Sequence, residues 1–286
     1  MPLNVDLLAV DVDGTLLDSN HLLPPANRAA LHRAHEAGIR IVLCTGRSYP
    51  ETCPILTKIG LDLDATVTAF GALLTDNRDG RTLERFVVPL DVSHQLTEWF
   101  LTRGFCVLWL NDREQTGLDG YIISGSRQHP AVDRWLAQTP CQIERVPRLT
   151  DDFLPPIRIS IIDEPDVLAP VSAELQKAFD GSITHNLLRA PAYNLTIIEA
   201  FAPHVNKWHG IERLCRRWGI NPAHTVAVGD DVNDLDMIRS AGLGVAMGNA
   251  HPEAKRVADR LTADNDSDGV ALLIDELLAS KRRTGC

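Results

Sequence analysis

Leu7-Leu8-Ala9-Val10-Asp11-Val12-Asp13-Gly14-Thr15-Leu16 is an apolar run that breaks into two acids and a glycine. The run Val5–Val10 is short and reads as a buried strand. Pro24 and Pro25 then precede a helical stretch, Ala26–Ala37, and Gly38 stands where a helix C-cap belongs. Ile39–Leu43 is a second buried strand, and Thr66–Ala69 a third. Strand, helix and strand in this order form a βαβ unit, with parallel strands and a right-handed crossover. In such sheets ligands bind outside the carboxyl ends of the strands, so the residues just past each strand are where chemistry is expected.

After the third strand the texture changes. Asn77-Arg78-Asp79-Gly80 is a turn signal between two extended runs and predicts a hairpin. From Glu84 to Leu188 strand-like pieces (Phe105–Leu110, Tyr121–Ser124, Ile157–Ile162, Ser182–Leu187) alternate with helical ones (Val92–Thr102, Ala131–Ala137, Val167–Phe179). Near Tyr193 the first texture returns: a strand at Leu195–Glu199, a helix at Asn206–Trp218, and a very apolar strand at Thr225–Val228. A helix to Ala241, a strand at Leu243–Ala246 and a final helix at Val270–Ala279 follow. The expected fold is an α/β protein: a doubly wound, Rossmann-like parallel-sheet core over residues 1–83 and 189–286, with an α+β domain inserted over residues 84–188.

Composition narrows the function. The 286 residues are 44% apolar and 23% charged, which suits a packed core and argues against disorder. The net charge of −10 argues against a nucleic-acid partner, since Lys281, Arg282 and Arg283 form the longest basic cluster. No stretch reaches the ~20 apolar residues of a membrane span, and no signal peptide is expected. The six cysteines (Cys44, Cys53, Cys106, Cys141, Cys215, Cys286) contain no C-x-x-C pair and read as reduced thiols of a cytoplasmic protein, mostly small buried hydrophobes.

Four elements fall at strand ends or helix starts. Asp11 and Asp13 lie two apart on an extended chain and so point to one side. Two like charges that close repel unless a cation or a shared proton relieves them. One carboxylate can attack phosphorus, and the other can shuttle a proton. Thr45-Gly46-Arg47 follows the second strand, where a hydroxyl and turn amides can hold phosphate oxygens. Lys207 starts a helix, the wrong end for a cation in the helix dipole. Gly229-Asp230-Asp231-Val232-Asn233-Asp234-Leu235-Asp236 places four acids in seven residues after an apolar strand. Hard oxygen ligands in a tight loop suit magnesium. Taken singly, an acidic turn, an ordinary Thr-Gly turn, a surface lysine and a capped helix start account for them as well. Their joint placement on one rim has no such bland account.

This ordered set resembles the haloacid dehalogenase superfamily of phosphohydrolases, and its spacing resembles the Cof-type subfamily, with a large C2-type cap between the Thr-Gly motif and the lysine. Asp266-Ser267-Asp268-Gly269-Val270 is similar to that subfamily's C-terminal segment. The resemblance implies a magnesium-dependent phosphatase of small phosphate monoesters, such as a sugar phosphate or a phosphorylated cofactor. Asp11 would become an aspartyl phosphate, and Asp13 would serve as general acid and then base. Asp11, the Asp13 backbone carbonyl and Asp230 would hold Mg2+. Asn233 and Asp234 would support that site or Lys207, Thr45 and Gly46 would bind the phosphoryl oxygens, and Lys207 would neutralise charge. Where the family commonly has Asn-Gly-Ala, this chain has Phe70-Gly71-Ala72, which bears on substrate orientation. Two alternatives stay open: a phosphotransferase or phosphomutase on the same scaffold, and a non-catalytic module phosphorylated on Asp11. Oligomeric state is not legible.

Overall fold

The computed structural model describes residues 4–127, 129–150, 152–190 and 195–284, so Tyr193 and Cys286 lie outside the described residues. The chain divides into two compact units, residues 1–81 with 206–286, and residues 82–205. The first begins with β1 (Leu7–Asp11), α1 (Pro25–Glu36), β2 (Arg40–Cys44), α2 (Tyr49–Ile59), β3 (Ala65–Thr68) and β4 (Leu73–Asp76). β1 is buried at every position, as its unbroken apolar run requires. Pro25 opens α1, where its missing N–H is no loss.

The helix α2, to which the sequence analysis assigns no element, carries Pro50 and Pro54. Pro50 falls in the first turn, where proline is tolerated. The signal for this helix is the capping box of Ser48 and Glu51, in which the Ser48 N–H donates to Glu51 Oε2 at 3.0 Å. The expected turn after β4 is present: Asp76 N–H donates to the Arg81 carbonyl at 2.8 Å, and Gly80 adopts a φ of 74°.

The second unit contains β5 (Thr82–Arg85), α3 (Leu90–Thr102), β6 (Val107–Leu110), α4 (Arg113–Thr116), β7 (Gly120–Ile123), α5 (Pro130–Gln138), β8 (Ile143–Val146), β9 (Arg158–Asp163), α6 (Pro165–Ala178), β10 (Thr184–Ala190) and β11 (Leu195–Phe201). Its sheet runs β10-β11-β9-β6-β7-β8, antiparallel except between β7 and β8. Alternation splits the side chains of β6 between two cores. Val107 and Trp109 join Leu96 and Phe100 of α3 and Leu168 and Leu175 of α6, whereas Leu108 and Leu110 join Ala131, Val132 and Trp135 of α5.

One expectation is corrected here. The sequence alone places the strand at Leu195–Glu199 in the returning core, with the boundary at 188/189. It is β11, and it pairs antiparallel with β10 and β9, which moves that boundary to 205/206; the first boundary lies at 81/82 in place of 83/84. All seven of its residues are buried. A strand buried on both faces looks alike in sequence whichever sheet it joins.

The first unit resumes with α7 (Lys207–Trp218), β12 (Thr225–Gly229), α8 (Leu235–Ser240), β13 (Leu243–Ala246), α9 (Pro252–Val257), β14 (Arg260–Leu261) and α10 (Gly269–Thr284). Its strands lie in the order β14-β13-β12-β1-β2-β3-β4. All pair in parallel except β3 with β4. Val10 sits opposite Leu43 on one side and Val228 on the other. From β1 the chain steps one way to β2 and β3, and from β12 it steps the other way to β13 and β14. That reversal is the switch point, where the loops past two neighbouring strands diverge and leave a crevice. Among the described residues no helix is long and apolar enough to cross a membrane.

Candidate active site

The crevice is lined by the ends of β1 and β12. β1 ends at Asp11, and the chain then turns through Val12–Leu16, with Gly14 at a φ of 77°. A Cβ on Gly14 would sit 2.3 Å from Asp230 Oδ2, so the turn needs glycine both for its backbone angle and for the approach of the acid loop. Three asparagine amides hold this turn: Asn27 Nδ2 donates to the Leu16 carbonyl (3.0 Å), Asn265 Nδ2 to Leu17 (3.0 Å) and Asn249 Nδ2 to Gly14 (2.8 Å). Sequence reading missed all three, since an isolated asparagine carries no spacing signal.

Lys207 is the centre of the site. It is 1% exposed, and its Nζ donates to Asp11 Oδ1 at 2.5 Å, to Asp234 Oδ1 at 2.6 Å and to Asn233 Oδ1 at 3.3 Å. Burial works against the ammonium, but Asp11 and Asp234 outweigh it and hold it protonated. Asn206 caps α7 through His209 N–H at 2.8 Å, which places Lys207 on the first helical position facing inward.

Asp234 has both oxygens committed. Oδ1 takes the lysine, and Oδ2 accepts the N–H groups of Asp230 (3.0 Å) and Asp231 (3.1 Å). It therefore shapes the acid loop. Asp230 accepts from Thr15 Oγ1 at 3.0 Å. Carboxylate oxygens of Asp11, Asp230 and Asp234 all lie within 4.8 Å of one another. Burial raises the Asp11 carboxyl well above its ordinary range, and Asp234 and Asp230 add to this against the pull of Lys207. Burial also pushes Asp230 up to about 7, with Asp234 adding to the rise while Thr15 and Lys207 oppose it. One ammonium among three crowded carboxylates leaves negative charge unbalanced, and a divalent cation would relieve it. The donor set fits a hard metal ion.

Asp13 takes a different partner. Arg47 grips it with two parallel hydrogen bonds, Nε to Oδ2 at 2.8 Å and Nη2 to Oδ1 at 2.6 Å, and His21 Nδ1 lies 3.5 Å from Oδ1. Burial would raise this carboxyl, but the guanidinium outweighs burial and holds it below the ordinary range. In the sequence Arg47 stands in the Thr45-Gly46-Arg47 run, where nothing local shows its partner.

Thr45 follows β2 and is buried; its N–H donates to the Val67 carbonyl (2.9 Å), and its Oγ1 accepts the Arg47 N–H (3.1 Å). Gly46 lies under the Phe70 ring, whose Cζ would be 2.4 Å from a Cβ there. Phe70 is itself buried, at a φ of 55°, with its ring centroid 5.7 Å from Lys207 Nζ. The ring thus bridges the Thr45-Gly46 turn and the lysine.

The profile of haloacid dehalogenase-like hydrolases matches residues 8–274, and the chain belongs to that family. The chain is 30% identical to the 5-amino-6-(5-phospho-D-ribitylamino)uracil phosphatase YcsE of Bacillus subtilis, over 95% of this chain and 95% of that one. It is 27% identical to the pyridoxal phosphate phosphatase YbhA of Escherichia coli, over 94% and 97%. A haloacid dehalogenase-like hydrolase from Bacteroides thetaiotaomicron superposes with a TM-score of 0.79 at 29% identity, covering 96% and 99% of the two chains.

Proposed function

We propose that this protein hydrolyses small phosphate monoesters through an aspartyl phosphate on Asp11. The observation that carries the reading is Lys207 buried between Asp11 and Asp234 at the switch point, with Asp13 two residues beyond the nucleophile. Asp11 Oδ1 is held by the lysine, which leaves Oδ2 to attack phosphorus. The bond from phosphorus to the leaving oxygen breaks, and Asp13 gives that oxygen its proton. The Thr45 hydroxyl, the Gly46 N–H and Lys207 hold the equatorial oxygens, where charge is spread in the transition state. Water then displaces Asp11 from phosphorus, with Asp13 taking its proton. Magnesium, held by Asp11, Asp230 and the Asp13 backbone carbonyl, would supply positive charge that lets a carboxylate approach a phosphate.

The substrate is proposed to be a phosphorylated metabolite. The names of YcsE and YbhA each describe a phosphate ester joined to a nitrogen heterocycle, and that class heads the panel to be tried. The inserted unit, residues 82–205, is proposed to act as the cap that selects the leaving group. Phosphate release from such a panel, with wild type beside Asp11→Asn, tests the reading. Turnover is expected to vanish with EDTA and to fall at least ~10³-fold in the variant. Unchanged turnover in Asp11→Asn would remove the nucleophile assignment.

A further inference from the structure

Arg47 hangs from the turn proposed to hold phosphoryl oxygens, yet its guanidinium is spent on Asp13. Its backbone is fixed at both ends: the N–H donates to Thr45 Oγ1 at 3.1 Å, and the carbonyl accepts the Ala69 N–H at 2.9 Å. Ala69 holds a left-handed φ of 46°. A non-glycine residue keeps that conformation only where its surroundings enforce it. The arginine side chain is 20% exposed and that of Asp13 37%, so the guanidinium is the more sheltered partner and the carboxylate opens toward solvent. A planar fork on both carboxylate oxygens fixes a carboxylate's rotation as well as its charge, which a lysine or a single hydrogen bond cannot do.

We propose that Arg47 is a positioning residue for Asp13 that acts in the second half of the reaction. The inference rests on the reading of Asp11 as nucleophile and Asp13 as acid and base. In the first half Asp13 must carry a proton, and it passes that proton to the leaving oxygen as the phosphorus–oxygen bond breaks. A fork that donates to both oxygens suits the carboxylate form of Asp13, the form that accepts a proton from water. In the second half a water oxygen attacks phosphorus. The bond from phosphorus to Asp11 breaks, its electrons return to the Asp11 carboxylate, and the water proton passes to Asp13. Arg47 orients the acceptor for that transfer.

The inference predicts an asymmetric defect. The probe is radiolabelled phenyl phosphate, mixed rapidly with the full-length protein and magnesium and quenched in acid to trap phospho-enzyme. Phenolate leaves with little help from an acid, so formation of the phospho-enzyme depends weakly on Asp13. Arg47→Ala is expected to raise the steady-state fraction of phospho-enzyme at least ~5-fold while changing its rate of formation less than ~2-fold. Arg47→Lys, which restores the charge without the fork, is expected to resemble Arg47→Ala. A merely structural role would lower the fraction of active enzyme and leave the ratio of the two steps untouched. That result, or an equal fall in both steps, would overturn the inference alone. No trapped phospho-enzyme in wild type, with turnover persisting in Asp11→Asn, would overturn the nucleophile reading together with it.

Discussion

At Lys207 a cation begins a helix, is buried, and touches two acids. The first feature costs about 0.3–1 kcal/mol against the helix dipole. Burial of an ammonium costs far more unless it is paired. Asp11 and Asp234 supply the pairing, so the three side chains form one unit, and removal of any member strands a charge. Phe70 closes this unit on the side of Gly46. Ring and glycine are complementary: a methyl on Gly46 would meet the ring at 2.4 Å. Gly46→Ala alone is therefore expected to abolish most turnover. In a Phe70→Ala background the same methyl has room, and its effect on turnover and stability should shrink, with a coupling of at least ~1 kcal/mol by urea denaturation. Additive effects would show that the ring does not set the turn's shape.

At the scale of elements, two turns fix the start of α7. Asn206 caps the helix, and Gly71, at a φ of 103°, lets the turn after β3 pass against it. A Cβ on Gly71 would lie 2.1 Å from the Asn206 carbonyl, next to Lys207 in the chain. Gly71→Ala should destabilise by about 2–3 kcal/mol, from strain and displacement, and lower turnover because the lysine moves. Gly219 ends the same helix at a φ of 66° with nothing within 4 Å of a Cβ. Gly219→Ala should cost about 1 kcal/mol for the backbone angle, with turnover kept. Thermal melts and phosphate release on the two variants check the contrast; equal losses of activity would contradict it.

For the whole molecule, the acid cluster makes stability depend on pH, and the proposed magnesium site predicts a dependence on metal. Asp11 and Asp230 bind protons more tightly folded than unfolded, the latter titrating at about 7 rather than 3.8. Their contribution is fully present below the unfolded value and is lost as pH rises through the folded one. Asp13 and Asp76 are held low and act oppositely, but their loss falls at more acid pH, Asp76 near about 2. In EDTA the urea midpoint should therefore fall between about pH 5 and about pH 8. Magnesium added at the upper pH should restore it, and Asp230→Asn should flatten the profile. A profile in EDTA that is flat for wild type would contradict the charge crowding.

The amino-acid sequence determined the class of fold and singled out most of the residues proposed for the chemistry, because both rest on local patterns. Apolar runs of strand length, capping residues and short acid motifs at strand ends are visible one segment at a time. It also showed that a module interrupts the core. What it did not decide is partnership. The strand Leu195–Phe201 reads the same for either sheet, and only its antiparallel hydrogen bonds with β9 and β10 place it in the inserted unit. Asp11 and Asp13 look like one pair on an extended strand, yet one is held by a lysine 196 residues away and the other by an arginine 34 residues away. Those contacts arise from strand order and from turns that require glycine. Hydrophobic pattern constrains neighbours along the chain, whereas the packing of distant elements decides which charge meets which.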